Sequence, residues 1–179
     1  MAIASTDILY KLSTTAGAAG DSGAGTVAGS LGKYISQTQI TDATLDNLIR
    51  DFTGAENAAS TALYKCIFVH NNHASISWTS VVAWLNSETA GGASTAISVD
   101  TTGVTAKGSS SAQAKTIANE TTAPASQSFS SPTTKATGLS IGTIPAGSVA
   151  AIWVRVTAAN TAAQALDGVV LRVEGDTTA

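Results

Sequence analysis

The residues of this chain that could do chemistry are few, and each is judged by what stands near it. Gly20-Asp21-Ser22-Gly23 presents a serine in the setting of an activated nucleophile. That chemistry needs a histidine base and an orienting aspartate, which in enzymes with this tetrapeptide stand well upstream of the serine. Here only a short segment precedes Ser22, and both histidines, His70 and His73, lie downstream. His70 and His73 flank Asn71-Asn72 and could converge on a metal, but no Cys, Asp or Glu stands nearby as a third ligand, so they read as turn residues that bond locally. Cys66 has no second cysteine to pair with and sits in an apolar run, where it reads as an inert buried thiol. Gly23-Ala24-Gly25 with Gly29 departs from dinucleotide-loop spacing and no βαβ unit follows, while Gly32-Lys33 lacks the glycine spacing and the hydroxyl residue of a phosphate loop. Asp42, Asp46 and Asp51 surround an expected short helix and read as its solvated face. No pair of acids is singled out for glycoside hydrolysis. The sequence therefore offers no catalytic, cofactor-binding or metal-site residue, and the expectation is a protein that is not an enzyme.

Composition points the same way. Charged residues make up 12% of the 179 positions and apolar ones 44%, against about 25% charged in ordinary soluble domains. A Ser, Thr, Ala and Gly exterior suits a subunit covered by neighbours better than an isolated monomer. The net charge of -3 and the scattered placing of Lys and Arg argue against nucleic acid as a partner. The N-terminal residues have neither a basic region nor a continuous apolar run, and no stretch is long and apolar enough to span a bilayer, so no membrane partner and synthesis in the cytoplasm are expected.

The elements that would position these residues are mostly strands. Ala62 to Leu85 reads as a central β-hairpin: Leu63 to Val69 forms one arm, His70-Asn71-Asn72-His73 the turn, and a second arm carries Ile76, Trp78, Val82 and Trp84 on one buried face. Residues 1–40 read as an N-terminal strand followed by a flexible glycine-rich arm, with Gly17, Gly20, Gly23, Gly25 and Gly29 too dense to order by side-chain packing. Residues 41–179 form the sandwich domain. It opens with a short helix at about 42–52, whose Leu45, Leu48, Ile49 and Phe52 share a helical face. Thr95 to Asp100 is a strand, Thr101 to Gln127 a weak strand pair or long excursion, and Leu139 to Ile141 a short strand before the turn Ile144-Pro145-Ala146-Gly147. In Ala150 to Thr157, Ile152, Val154 and Val156 face the core, which leaves Trp153 and Arg155 on an open face. Val169, Leu171 and Val173 alternate in the last strand, and Gly175 to Ala179 is a polar tail. Many short strands and one helix predict an all-β, antiparallel β-sandwich of Ig-like or jelly-roll-like type with an N-terminal arm.

Specific stretches carry a family resemblance. Tyr64-Lys65-Cys66-Ile67-Phe68-Val69-His70-Asn71, Val81-Val82-Ala83-Trp84-Leu85, Gly142-Thr143-Ile144-Pro145-Ala146-Gly147 leading into Trp153-Val154-Arg155-Val156, and Leu171-Arg172-Val173-Glu174-Gly175 resemble tailed-bacteriophage virion proteins with an immunoglobulin-like sandwich. Ser30 to Ser36 and Gly54-Ala55-Glu56 fit the same group. The resemblance implies a non-enzymatic structural protein of the virion, of the type that decorates or cements the head. It implies the major capsid protein or other virion proteins as partners, a homo-oligomer with a trimer as its expected state, and no cofactor. The alternative is a tail-associated or fibre-associated module, either structural or a glycan-binding adhesin with exposed Trp153 or His73 as the stacking surface.

Overall fold

The β-branched and aromatic runs become strands, and the strands divide between two antiparallel sheets. A computed structural model describes residues 2–162, 164 and 166–177. The strands are β1 (Ile8–Thr14), β2 (Tyr34–Gln39), β3 (Ala62–Asn71), β4 (Trp78–Glu88), β5 (Ser94–Val99), β6 (Thr105–Ala106), β7 (Leu139–Ile144), β8 (Ser148–Thr157) and β9 (Val169–Thr177). The larger sheet runs in the order β2-β1-β3-β8-β5, with β6 also paired to β8, and the smaller in the order β7-β4-β9. Ile67 and Val69 of β3, Val81, Ala83 and Leu85 of β4, and Ile152 and Val154 of β8 meet between the sheets, together with Trp78, Ile97 and Ile144. Each such aliphatic side chain contributes about 1.5 to 3 kcal/mol by leaving water. The protein is an all-β sandwich, as the strand pattern predicts.

A further layer lies on the other face of the larger sheet. Cys66, Phe68, Ala151 and Trp153 point away from the first core and pack with Ala114 and Ile117, and Leu31 and Phe129 join them. These last four residues come from the connections 15–33 and 107–134, so loops cover the sheet. Strands β3 and β8 are thus buried on both faces, which explains their nearly continuous apolar sequence.

Five expectations are corrected. The central stretch is not a hairpin: β3 pairs with β1 and β8, while β4 pairs with β7 and β9 in the opposite sheet. The intervening residues cross between sheets, held by the buried Asn71 amide, which donates to the carbonyls of Ile76 and Ile144, both at 2.9 Å. The shared inward parity of Trp78 and Trp84 also fails, because Ser80 at φ +53° forms a bulge in β4. After it Val81, Ala83 and Leu85 face the core, and Trp84 is buried outside that cluster.

The helix at about 42–52 is absent, because Ala43 and Asp46 adopt φ of +53° and +55°, which breaks a right-handed helix. Leu45 stays 68% exposed, and a single-turn helix, α1 (Gly54–Ala58), follows instead. It is fixed by a capping box in which the Thr53 side chain accepts from the Glu56 amide and the Glu56 side chain accepts from the Thr53 amide. Finally, the glycine-rich segment does not stand free. Its ends continue β1 and β2, which pair with each other, and its middle is bonded to the body: Asp21 N donates to Ile35 O, Gly20 N to Ser109 O, and Gln37 N to Gly23 O. Strand β9 extends through Thr177 into the expected polar tail, whose last two residues lie outside the described ones.

Candidate interaction surface

Two knots of charged groups hold the loops of this chain to its sheet. Asp21 sits at φ +60° and turns its carboxylate onto Lys11 at 2.8 Å and Lys107 at 3.1 Å, tying both loop segments to β1. Partial burial pushes the Asp21 carboxyl up, but the two ammonium groups outweigh it and hold the group below the usual carboxylate value. A second knot joins Glu120 to the fully buried Lys65 of β3 at 2.7 Å and to Arg50 at 2.7 Å, and Arg50 also grips Glu56 at 2.6 Å. Burial raises the Glu120 carboxyl, yet Lys65 and Arg50 lower it overall, and Arg50 with the Thr53 cap brings Glu56 down to about 2. Sequence reasoning missed this knot. A lysine within the apolar run of β3 was the available sign that a buried carboxylate partner had to exist.

The residues singled out for chemistry do not converge. Ser22 is exposed and its hydroxyl donates to the Ala19 carbonyl, with no histidine at hand. His70 is buried on the loop-covered face, and its Nδ1 has no hydrogen-bond partner among the described residues. Burial first, then Lys11 and Lys107, lower its pKa to about 4. His73 instead sits in the crossover, where its Nδ1 accepts from the amides of Ser75 and Ile76 at 3.1 and 3.0 Å. Among the described residues no group of three or more His, Cys, Asp or Glu could hold a metal ion. Cys66 is fully buried, and burial first, then Asp100, pushes its thiol well above the ordinary value. Asp42, Asp46 and Asp51 are exposed on irregular backbone. The glycines serve close packing: Gly32, at φ +91°, lies so near the Lys115 carbonyl that a Cβ would collide with it.

Trp153 is the largest departure. It was expected on an open face, yet it is fully buried, and its Nε1 donates to Asp100 at 2.7 Å. The Asp100 carboxylate also accepts from the amides of Thr102 and Lys115, so this buried acid is held by three donors. Arg155 lies 5.2 Å from the Phe129 ring centroid rather than beside an exposed indole. Stacking of a glycan on Trp153 is thereby ruled out.

What remains open is neutral surface and sheet edge. A shallow groove of about 340 Å³ runs beside β2 between Leu12, Val27, Ile40 and Leu45, and Asp46 is the only charged residue lining it. A second hollow of about 230 Å³ is lined by Ser98, Thr101, Gln127 and Ser140 among others and by no charged residue. Both edges of the larger sheet are bonded to neighbouring segments. The glycine-rich segment bonds along β2, and Ser130 exchanges both backbone hydrogen bonds with Ile97 of β5. Strand β7 is short, and Gly142 at φ +88° interrupts it. Strand β9 is longer and unbroken, since both of its register shifts against β4 insert the extra residue in β4. Among the described residues no strand lies on its outer side. No protein-family model, curated protein or solved structure matches the chain. Among the described residues no helix is long and apolar enough to cross a membrane.

Proposed function

We propose that this chain is a non-enzymatic structural subunit of a tailed-bacteriophage virion, and more narrowly a decoration protein that binds the assembled head lattice and cements it. The sequence stretches that resemble such subunits motivate the reading. The observation that carries it is the placement of charge: of nine basic and twelve acidic residues, Lys11, Asp21, Arg50, Glu56, Lys65, Lys107 and Glu120 are consumed in fastening loops to the sheet. The remaining charges are few and scattered over an exterior rich in Ser, Thr, Ala and Gly. Such a surface meets a protein lattice at little desolvation cost, because few ions must be stripped of water. A subunit that binds only the assembled shell stabilises it by mass action.

Cryo-microscopy of particles from the source tests this. Density fitting the sandwich on the outer shell is the expected result. Density confined to tail or fibre moves the subunit to that location, and particles that lack the chain altogether overturn the virion reading.

A further inference from the structure

The open edge of β9 carries a charge pattern that is complementary to itself. Its even-numbered residues face away from the core: Val170 is 53% exposed, and the side chains of Arg172 and Glu174 are 55% and 39% exposed. Its odd-numbered residues Val169, Leu171 and Val173 belong to the core between the sheets. Within the chain, Arg172 Nε lies 3.1 Å from Glu174 Oε1, and Lys135 Nζ lies 3.6 Å from Glu174 Oε2.

We propose that β9 is a docking edge for a second copy of this chain, pairing antiparallel with the partner's β9 about a two-fold axis at Val173 and joining two three-stranded sheets into one.

The register follows from charge. A two-fold axis perpendicular to the sheet must keep like faces together, so only registers that set even residues opposite even residues are allowed. Centring on Val173 sets Arg172 opposite the partner's Glu174 and Glu174 opposite the partner's Arg172, which builds a symmetric cluster of alternating sign. Centring on Arg172 instead sets that residue against its own copy, and centring on Glu174 does the same for the carboxylate. Like charges directly opposite destabilise a strand pair, whereas opposite charges support it. The backbone supplies the rest, since an unbroken edge offers amides and carbonyls already in strand geometry. This contact is independent of the virion role, because it requires only the sandwich edge. It builds dimers and does not by itself close a three-fold ring.

The test uses the full chain and three variants. Sedimentation equilibrium and native mass spectrometry, from low micromolar to hundreds of micromolar protein, should show a reversible monomer–dimer equilibrium for the parent. Arg172→Glu and Glu174→Arg should each weaken dimerisation by at least about tenfold, since each turns two attractive pairs into repulsive ones. The double variant Arg172→Glu with Glu174→Arg should recover most of the loss, because the exchanged charges again face opposite signs across the axis. Thermal melts of the same samples separate folding from association. Should a single variant fail to fold, hydrogen exchange of the parent's β9 amides decides: protection that rises with protein concentration supports the proposal, and protection unchanged by dilution overturns it. A parent that stays monomeric, a trimer, or a dimer unaffected by either single charge reversal also overturns it.

Discussion

Burial keeps His70 neutral well below the pH at which a histidine ordinarily takes up its proton. Its pKa of about 4 in the fold lies below the ordinary 6.5. Between these values the unfolded chain binds a proton that the native one refuses. Stability is therefore fully present above 6.5 and is lost as pH falls through 4, by about 3 kcal/mol in all. Urea titrations across that window should show the slope, and His70→Gln should flatten it; an unchanged slope would assign the acid loss elsewhere. The carboxyls of Asp21 and Glu120 are held below their usual value, so their contribution disappears only in stronger acid, as pH falls through the native pKa. A second residue-scale test is Trp153→Phe, which removes one of three donors from the buried Asp100 carboxylate and should cost about 1 to 3 kcal/mol by chemical denaturation. A melt indistinguishable from the parent would show that water replaces the indole N–H. The alternation of β8 was legible in the sequence, but the burial of Trp153 was not. Which side of a strand meets solvent depends on residues 107–134, far away in the chain and without a pattern of their own.

At the scale of elements, periodicity located the strands and misjudged how they connect. Leu45, Leu48, Ile49 and Phe52 do fall at helical spacing, with Thr41 or Asp42 placed to cap them, yet the backbone enters the left-handed region at Ala43 and Asp46. The Thr53–Glu56 capping box was readable and marks the helix that does form. The crossover after Asn71 resembled a hairpin turn because turn residues signal a change of direction but not which sheet receives the next strand. In β4 the bulge at Ser80 has no sequence signature, so the face assigned to Trp84 was wrong although its burial was right. The connection 107–134 depends on one anchor more than its sequence suggests. Glu120→Ala should leave the buried Lys65 ammonium without its carboxylate and cost about 3 kcal/mol in urea unfolding, more than Glu120→Gln, which keeps a hydrogen-bond acceptor. Equal losses in the two variants would mean that the ammonium escapes to water when its partner goes.

For the whole molecule, the fold class followed from counting strands and turns, while the three-layered build did not. Glycine density alone predicted a free arm. Burial of Ser30, whose hydroxyl donates to the Cys66 carbonyl at 2.7 Å, and the Asp21 bridges make that segment part of the body. Excising residues 16–28 and closing β1 to β2 with a short turn should accordingly lower the melting temperature by several degrees, because the segment protects the outer face of the larger sheet. An unaltered melt would return it to the status of a dispensable arm. The layered build also supplies its own reporter. Cys66 is the single thiol, and it lies between that sheet and the loops over it. An aromatic disulfide reagent can reach it only when the cover lifts or the whole chain unfolds. Its modification rate under native conditions therefore clocks the breathing of one layer. If Glu120→Ala quickens that rate by far more than it speeds global unfolding, the loops open as a separate lid of low local stability; if both change in proportion, the three layers come apart together.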